Sequence, residues 1–207
     1  MIDLLKQYVD GGADLSGHQI DKLPRSLFIT FMRRVIIENS HILDNDMLVA
    51  IGKKIHYLTT KQINEFLSEN PWGITYIPNA TYEQKLSAVK EYGPAIQGIE
   101  KPTEELQLAA VTNNPNVIKY IKKPSKKVQL AAVSNIPSTI RHIENPSRNV
   151  QLVAVAKNGM TIRYIIEKGI TPSEKVQLAA IENLASAIKY IENPYPSVIK
   201  LYNELTK

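Results

Sequence analysis

From about Leu58 onward the chain repeats itself every 22 residues, and this period constrains its fold more than any other feature. Four copies are marked most clearly, beginning at Pro102, Pro124, Pro146 and Pro172. The second reads Pro124-Ser-Lys-Lys-Val-Gln-Leu-Ala-Ala-Val133, and the others vary it conservatively. Each closes on an Ile-basic-aromatic-Ile tetrad: Ile118 to Ile121, Ile140 to Ile143, Ile162 to Ile165 and Ile188 to Ile191. A fixed period in this range predicts stacked units that bury their apolar faces only against their neighbours.

Within the unit from Pro124 to Asn145, Ser125 is placed to cap a helix whose first turn is Lys126 and Lys127. Val128, Leu130, Ala131, Ala132 and Val133 then form a wide apolar stripe at helical spacing. Pro137, like its counterparts Pro115 and Gly159, ends that helix and turns the chain. Ile140 and Ile143 share one face of a second, shorter helix, predicted as a single turn or 3₁₀ because a 22-residue unit is short. The alanine pairs Ala109/Ala110, Ala131/Ala132 and Ala179/Ala180 are small where stacked helices approach closest. On this basis Ala131 is expected at a close helix contact, and Lys126 on the solvent side.

Two weaker copies extend the array backward, giving about six units. Residues 80–101 keep Leu86, Ala88, Val89, Ile96 and Ile99, and residues 58–79 keep Phe66, Leu67, Ile74 and Ile77. A four-residue insert around Lys168 to Thr171 predicts a longer loop. The half unit Val198 to Leu205 reads as a terminal cap helix. Residues 1–57 differ: Leu15 and Ile20 align with Ile37 and Ile42, 22 residues on, as two coils of a leucine-rich-type β repeat do. The expected architecture is therefore mainly α. A right-handed α-solenoid of two-helix repeats spans 58–207, preceded over 1–57 by a small β-containing cap with leucine-rich-like segments.

At 207 residues and 43% hydrophobic, the chain is ordinary globular material. No apolar run reaches the length of a membrane span, the N-terminus lacks signal-peptide features, and cysteine is absent. The lack of cysteine excludes disulfides, thiolate catalysis and Cys-based zinc sites. A soluble cytoplasmic protein with no membrane partner is expected. The net charge of +5 is uneven. Residues 1–79 hold 8 Lys/Arg against 9 Asp/Glu, whereas residues 80–207 hold 17 against 11. That excess favours anionic partners without committing the chain to nucleic acid.

The signature Val-Gln-Leu-Ala-Ala-Val133, followed by Asn135 and a closing tetrad such as Ile118-Lys-Tyr-Ile121, resembles an uncharacterised tandem-repeat family. That family occurs in bacteriophages, large DNA viruses and intracellular bacteria. The signature is also similar to the variant leucine-rich repeat, a right-handed superhelix alternating α and 3₁₀ helices. The stretch Gly12-Ala-Asp-Leu-Ser-Gly-His-Gln-Ile-Asp-Lys-Leu-Pro24 resembles leucine-rich openings of phage proteins. The resemblance implies an architecture and a phage or bacterial source. It implies no activity and carries no functional residues with it.

One basic residue per unit recurs at the same place: Lys119, Arg141, Arg163 and Lys189. Stacked helices lie roughly 8–10 Å apart, so these cations form a ladder that a phosphate backbone or an acidic protein groove can follow. The competing explanation is a solvated face, which prefers Lys and Arg in any case. Beside them stand Tyr120, His142, Tyr164 and Tyr190, either as stacking platforms or as half-buried packing with polar tips in water. Gln107, Gln129, Gln151 and Gln177 form a further column, read as structural amides bonding neighbouring loops or one another. Asn113, Asn135 and Asn183 read as C-terminal caps.

Catalytic chemistry finds little footing. The histidines His18, His41, His56 and His142 are scattered without ligand spacing, Asp44 and Asp46 read as a solvated loop pair, and Gly11-Gly12 fits a turn. The expectation is a non-enzyme with no cofactor, no metal and no catalytic residue. It binds a protein partner, a host protein if the chain is phage-encoded, and acts in the host cytoplasm. The alternative is a sequence-independent nucleic-acid binder using the basic column, aided by Lys122, Lys123, Lys126 and Lys127. The sequence leaves the oligomeric state open.

Overall fold

The computed structural model describes Phe28 and residues 58–207, and it is mainly helical, with no strand among these residues. The segments 13–20 and 35–42, expected as strands of a cap, lie outside the described residues. The chain forms two compact units, Met1–Glu100 and Lys101–Lys207.

In the first unit, α1 (Thr60–Glu69) leads into a 3₁₀ helix over Pro71–Tyr76, and α2 (Tyr82–Glu91) into another over Gly93–Gly98. Both α-helices open on a capping box. Gln62 N–H donates to Thr59 Oγ1 while Thr59 N–H donates back to Gln62 Oε1, and Thr81 and Gln84 repeat the pattern. Phe66, Leu67 and Ile74 are buried from the first pair, and Ala88, Val89, Ile96 and Ile99 from the second. Trp72 meets Tyr92 edge to face at 6.3 Å between ring centroids.

The second unit continues the alternation with α3 (Glu104–Asn113), α4 (Lys126–Asn135), α5 (Arg148–Lys157), α7 (Glu174–Asn183) and α8 (Pro196–Leu205). Six-residue 3₁₀ helices over Pro115–Tyr120, Pro137–His142 and Ala185–Tyr190 follow α3, α4 and α7. After α5 a shorter 3₁₀ turn, Gly159–Thr161, runs directly into α6 (Ile162–Ile166). The four extra residues expected as a loop therefore partly lengthen this second helix, and the chain then turns through Gly169 at φ 73°. Helices pack in sequence order, α3 on α4, α4 on α5, α5 on α7 and α7 on α8.

The helices α3, α4, α5 and α7 end alike, as α3 illustrates. Asn114 N–H closes on Ala110 O at 2.9 Å, the backbone becomes extended, and Pro115 opens the 3₁₀ helix where a missing N–H costs nothing. Asn113, Asn135 and Asn183 are thus the last helical residues, and the caps fall one position later at Asn114, Ile136 and Leu184. Asn183 instead ties two units together. Its Oδ1 accepts from Gly159 N–H at 2.7 Å, and its Nδ2 donates to Ala156 O at 2.9 Å. Gly159 stands where the two preceding units have Pro115 and Pro137, so it has an N–H to offer.

The glutamine column is structural, as expected. Nε2 of Gln107, Gln129, Gln151 and Gln177 donates to the carbonyl of Pro102, Pro124, Pro146 and Pro172 at 2.8 to 3.2 Å. Each amide pins the loop that precedes its own helix. Between units, Ser125 Oγ donates to the Glu104 carboxylate, Ser197 Oγ to that of Glu174, and Tyr195 N–H to Gln177 Oε1.

The alanine pairs are not equivalent. Ala110, Ala132 and Ala180 are fully buried, whereas Ala109, Ala131 and Ala179 are half-exposed. Ala131 is therefore not the close contact expected from the stripe. Val128, Ala132 and Val133 form the dry face, and Leu130 and Ala131 lie at its margin. Lys126 is exposed, as expected.

Candidate binding site: a ladder of cations and rings

The closing tetrads determine which side chains face outward. Residues three apart eclipse one another in a 3₁₀ helix and share a face in an α-helix such as α6, so two isoleucines at that spacing turn inward together. Ile118 and Ile121, Ile140 and Ile143, and Ile162 and Ile165 are all buried. The two residues between each pair are then left on the outer side. This places all eight candidate residues, Lys119, Tyr120, Arg141, His142, Arg163, Tyr164, Lys189 and Tyr190, at the same position in successive units.

They also touch. Lys119 Nζ lies 4.7 Å from the centre of the Tyr120 ring, the Arg163 guanidinium 4.5 Å from Tyr164, and Lys189 Nζ 5.0 Å from Tyr190. These are cation–π distances, so each of these rings has its own unit's cation over one face. Arg163 Nη2 also donates to the Tyr164 hydroxyl at 2.6 Å, and Arg141 Nε to His142 Nε2 at 3.1 Å. Weaker electrostatic effects run between units: Arg141 also lowers the Tyr164 phenol, and Tyr190 also favours the charged Arg163.

The electrostatics follow from these contacts. The hydrogen bond from Arg163 holds the Tyr164 phenol below its ordinary range, and the same bond keeps Arg163 still more firmly protonated. Partial burial, then the charges of Arg141, Lys119 and Lys168, hold His142 below the usual imidazole range. Lys168 was missed as a candidate because it has no counterpart in other units. It belongs to the insert that follows α6, the helix packed on Pro137–His142, and its charge is the last of those acting on that histidine.

Among the described residues, none of the five cations has a carboxylate within ion-pair distance. Tyr120 is 43% exposed, while His142, Tyr164 and Tyr190 are half-buried. The half-buried packing expected for the rings is realised against the cations as well as the core. Chemically the arrangement is a row of uncompensated positive charge held in register by phenols. It offers charge-assisted donors and little open ring surface.

No group of three or more His, Asp or Glu side chains is placed to hold a metal ion among the described residues. His18, His41, His56, Asp44 and Asp46 lie outside the described residues. Among the described residues no helix is long and apolar enough to cross a membrane. No family model, curated protein or solved structure matches the chain.

Proposed function

We propose that this chain is a non-catalytic protein-binding module whose ladder of Lys119, Arg141, Arg163 and Lys189 docks on an acidic surface of its partner. The observation that carries it is the uncompensated row of cations, three of them held against the ring of their own unit. Holding long cationic side chains in place before binding reduces the entropy lost on binding. Rings already covered by lysine or arginine are poor stacking platforms, which favours a protein over single-stranded nucleic acid. The recurring constellations contain no acid–base pair, which supports a binder rather than an enzyme.

The proposal extends to architecture and source. Successive packing of like units supports a right-handed α-solenoid, whose long surface suits an extended partner. The resemblance of the repeat signature to phage families supports a phage-encoded protein acting in the host cytoplasm, where it binds or inhibits a host protein.

Capture from a bacterial lysate, with a variant carrying Lys119→Ala, Arg141→Ala, Arg163→Ala and Lys189→Ala in parallel, tests this. One stoichiometric acidic protein, retained after nuclease treatment and lost with the variant, is expected. Capture abolished by nuclease would transfer the ladder to nucleic acid. No stoichiometric partner, together with turnover of a substrate, would end the proposal.

A further inference from the structure

Three large hydrophobic side chains of α8 and its N-cap, Tyr195, Ile199 and Leu205, are 40%, 45% and 51% exposed. Each stands where the preceding units carry a polar residue. Tyr195 replaces the N-cap residues Thr103, Ser125, Ser147 and Ser173. Ile199 replaces the pinning amides of Gln107, Gln129, Gln151 and Gln177, and Leu205 replaces Asn113, Asn135, Lys157 and Asn183. A stacked unit whose outer face meets water carries polar residues there, and α8 does the reverse. Tyr195, Ile199, Tyr202 and Leu205 follow one another at spacings of four, three and three, so they line one side of the helix.

The repeat identifies that side. In α7, Gln177 is 2% exposed and the next unit arrives on it, with Tyr195 N–H donating to Gln177 Oε1 at 3.3 Å. Ile199 holds the equivalent position of α8, on the face that receives whatever packs next. A further unit of the same kind fits poorly there. Tyr202 stands where Ala110, Ala132, Ala154 and Ala180 are fully buried, and a phenol in place of a methyl holds an incoming helix farther out. The stripe itself is uncharged, and Lys200 balances Glu204 within α8, so two copies meet without net repulsion. We infer that this side of α8 docks on the same side of a second copy of the chain, in a two-fold contact centred on Tyr202. Antiparallel apposition brings Ile199 of one copy level with Leu205 of the other, since both lie three residues from Tyr202. One patch then serves both partners, as a closed two-fold dimer requires. Antiparallel helix dipoles favour the same arrangement. The patch is small for a specific interface, so the dimer exchanges with monomer as concentration changes.

Sedimentation velocity of the full chain over a range of concentrations tests this. The variants are Ile199→Gln with Leu205→Asn, which restores the residues of the other units, and Tyr195→Ser, which restores the usual N-cap. Both should keep the helical circular dichroism of wild type. We expect monomer–dimer exchange in wild type and a dissociation constant raised at least about tenfold in the double variant. Tyr195→Ser should weaken the dimer as well, whereas the quadruple ladder variant should leave it unchanged. Wild type that stays monomeric throughout, or a dimer that persists undiminished in both α8 variants, would overturn the inference. Species that grow without limit would do so too, because they mark head-to-tail stacking.

Discussion

Ala131 and Ala132 are chemically identical neighbours with different surroundings, and the difference is measurable. Ala132 is fully buried and Ala131 half-exposed. Ala132→Asp places an unpaired carboxylate in a dry contact and should cost more than about 3 kcal/mol. Ala131→Asp leaves its charge in reach of water and should cost about 1 kcal/mol, while Lys126→Ala should stay within about 0.5 kcal/mol. Urea midpoints of the three variants check this order. His142 gives a second prediction at the same scale. Its imidazole lies below the ordinary value of 6.5 in the folded chain and regains it on unfolding. Below about pH 6.5 the unfolded state therefore takes up the proton first, and stability falls as pH drops through that window. Above it the contribution is complete. His142→Tyr, which restores the residue of the other rungs, should flatten the fall in urea midpoint between pH 7 and pH 5.5.

At the scale of elements, two glycines of the irregular unit are required for opposite reasons. A Cβ on Gly159 would lie 2.4 Å from the Ala180 carbonyl oxygen, so the close approach of neighbouring units forbids a side chain. Gly169 has open space around it but a φ of +73°, so its dihedral angle forbids one. Gly159→Ala should therefore cost about 1–3 kcal/mol whatever its backbone preference. Gly169→Ala should cost about 1 kcal/mol, with Gly169→Asn recovering most of it because asparagine tolerates that region. Thermal midpoints separate the two cases. The 22-residue period, the Ser125 cap, the pinning glutamines and the outward tetrad residues were all legible in the sequence, because each depends on local chemistry repeated at fixed spacing. The dry alanine of each pair was not legible, since helical spacing marks the whole stripe and only the neighbouring helix decides its margin. Nor was Lys168, whose place depends on how the insert of a single unit folds.

At the scale of the molecule, repetition converts a local pattern into a surface. One tetrad yields one cation beside one ring, and packing of each tetrad-bearing helix on the next sets the rungs in a row. Seven of the eight tetrad isoleucines are buried and Ile188 is half-buried, so the row's charge can be removed while the core side chains stay in place. Fluorescence anisotropy of a labelled oligoglutamate peptide, with a labelled oligothymidylate of similar length as comparison, examines the ladder most directly. We expect the wild-type chain to bind the peptide more tightly, with affinity falling steeply as salt rises. The Lys119→Ala, Arg141→Ala, Arg163→Ala, Lys189→Ala variant should lose that binding while keeping its helical circular dichroism. Peptide binding undiminished in this variant, or tight binding of the oligothymidylate alone, would contradict a protein-recognition ladder.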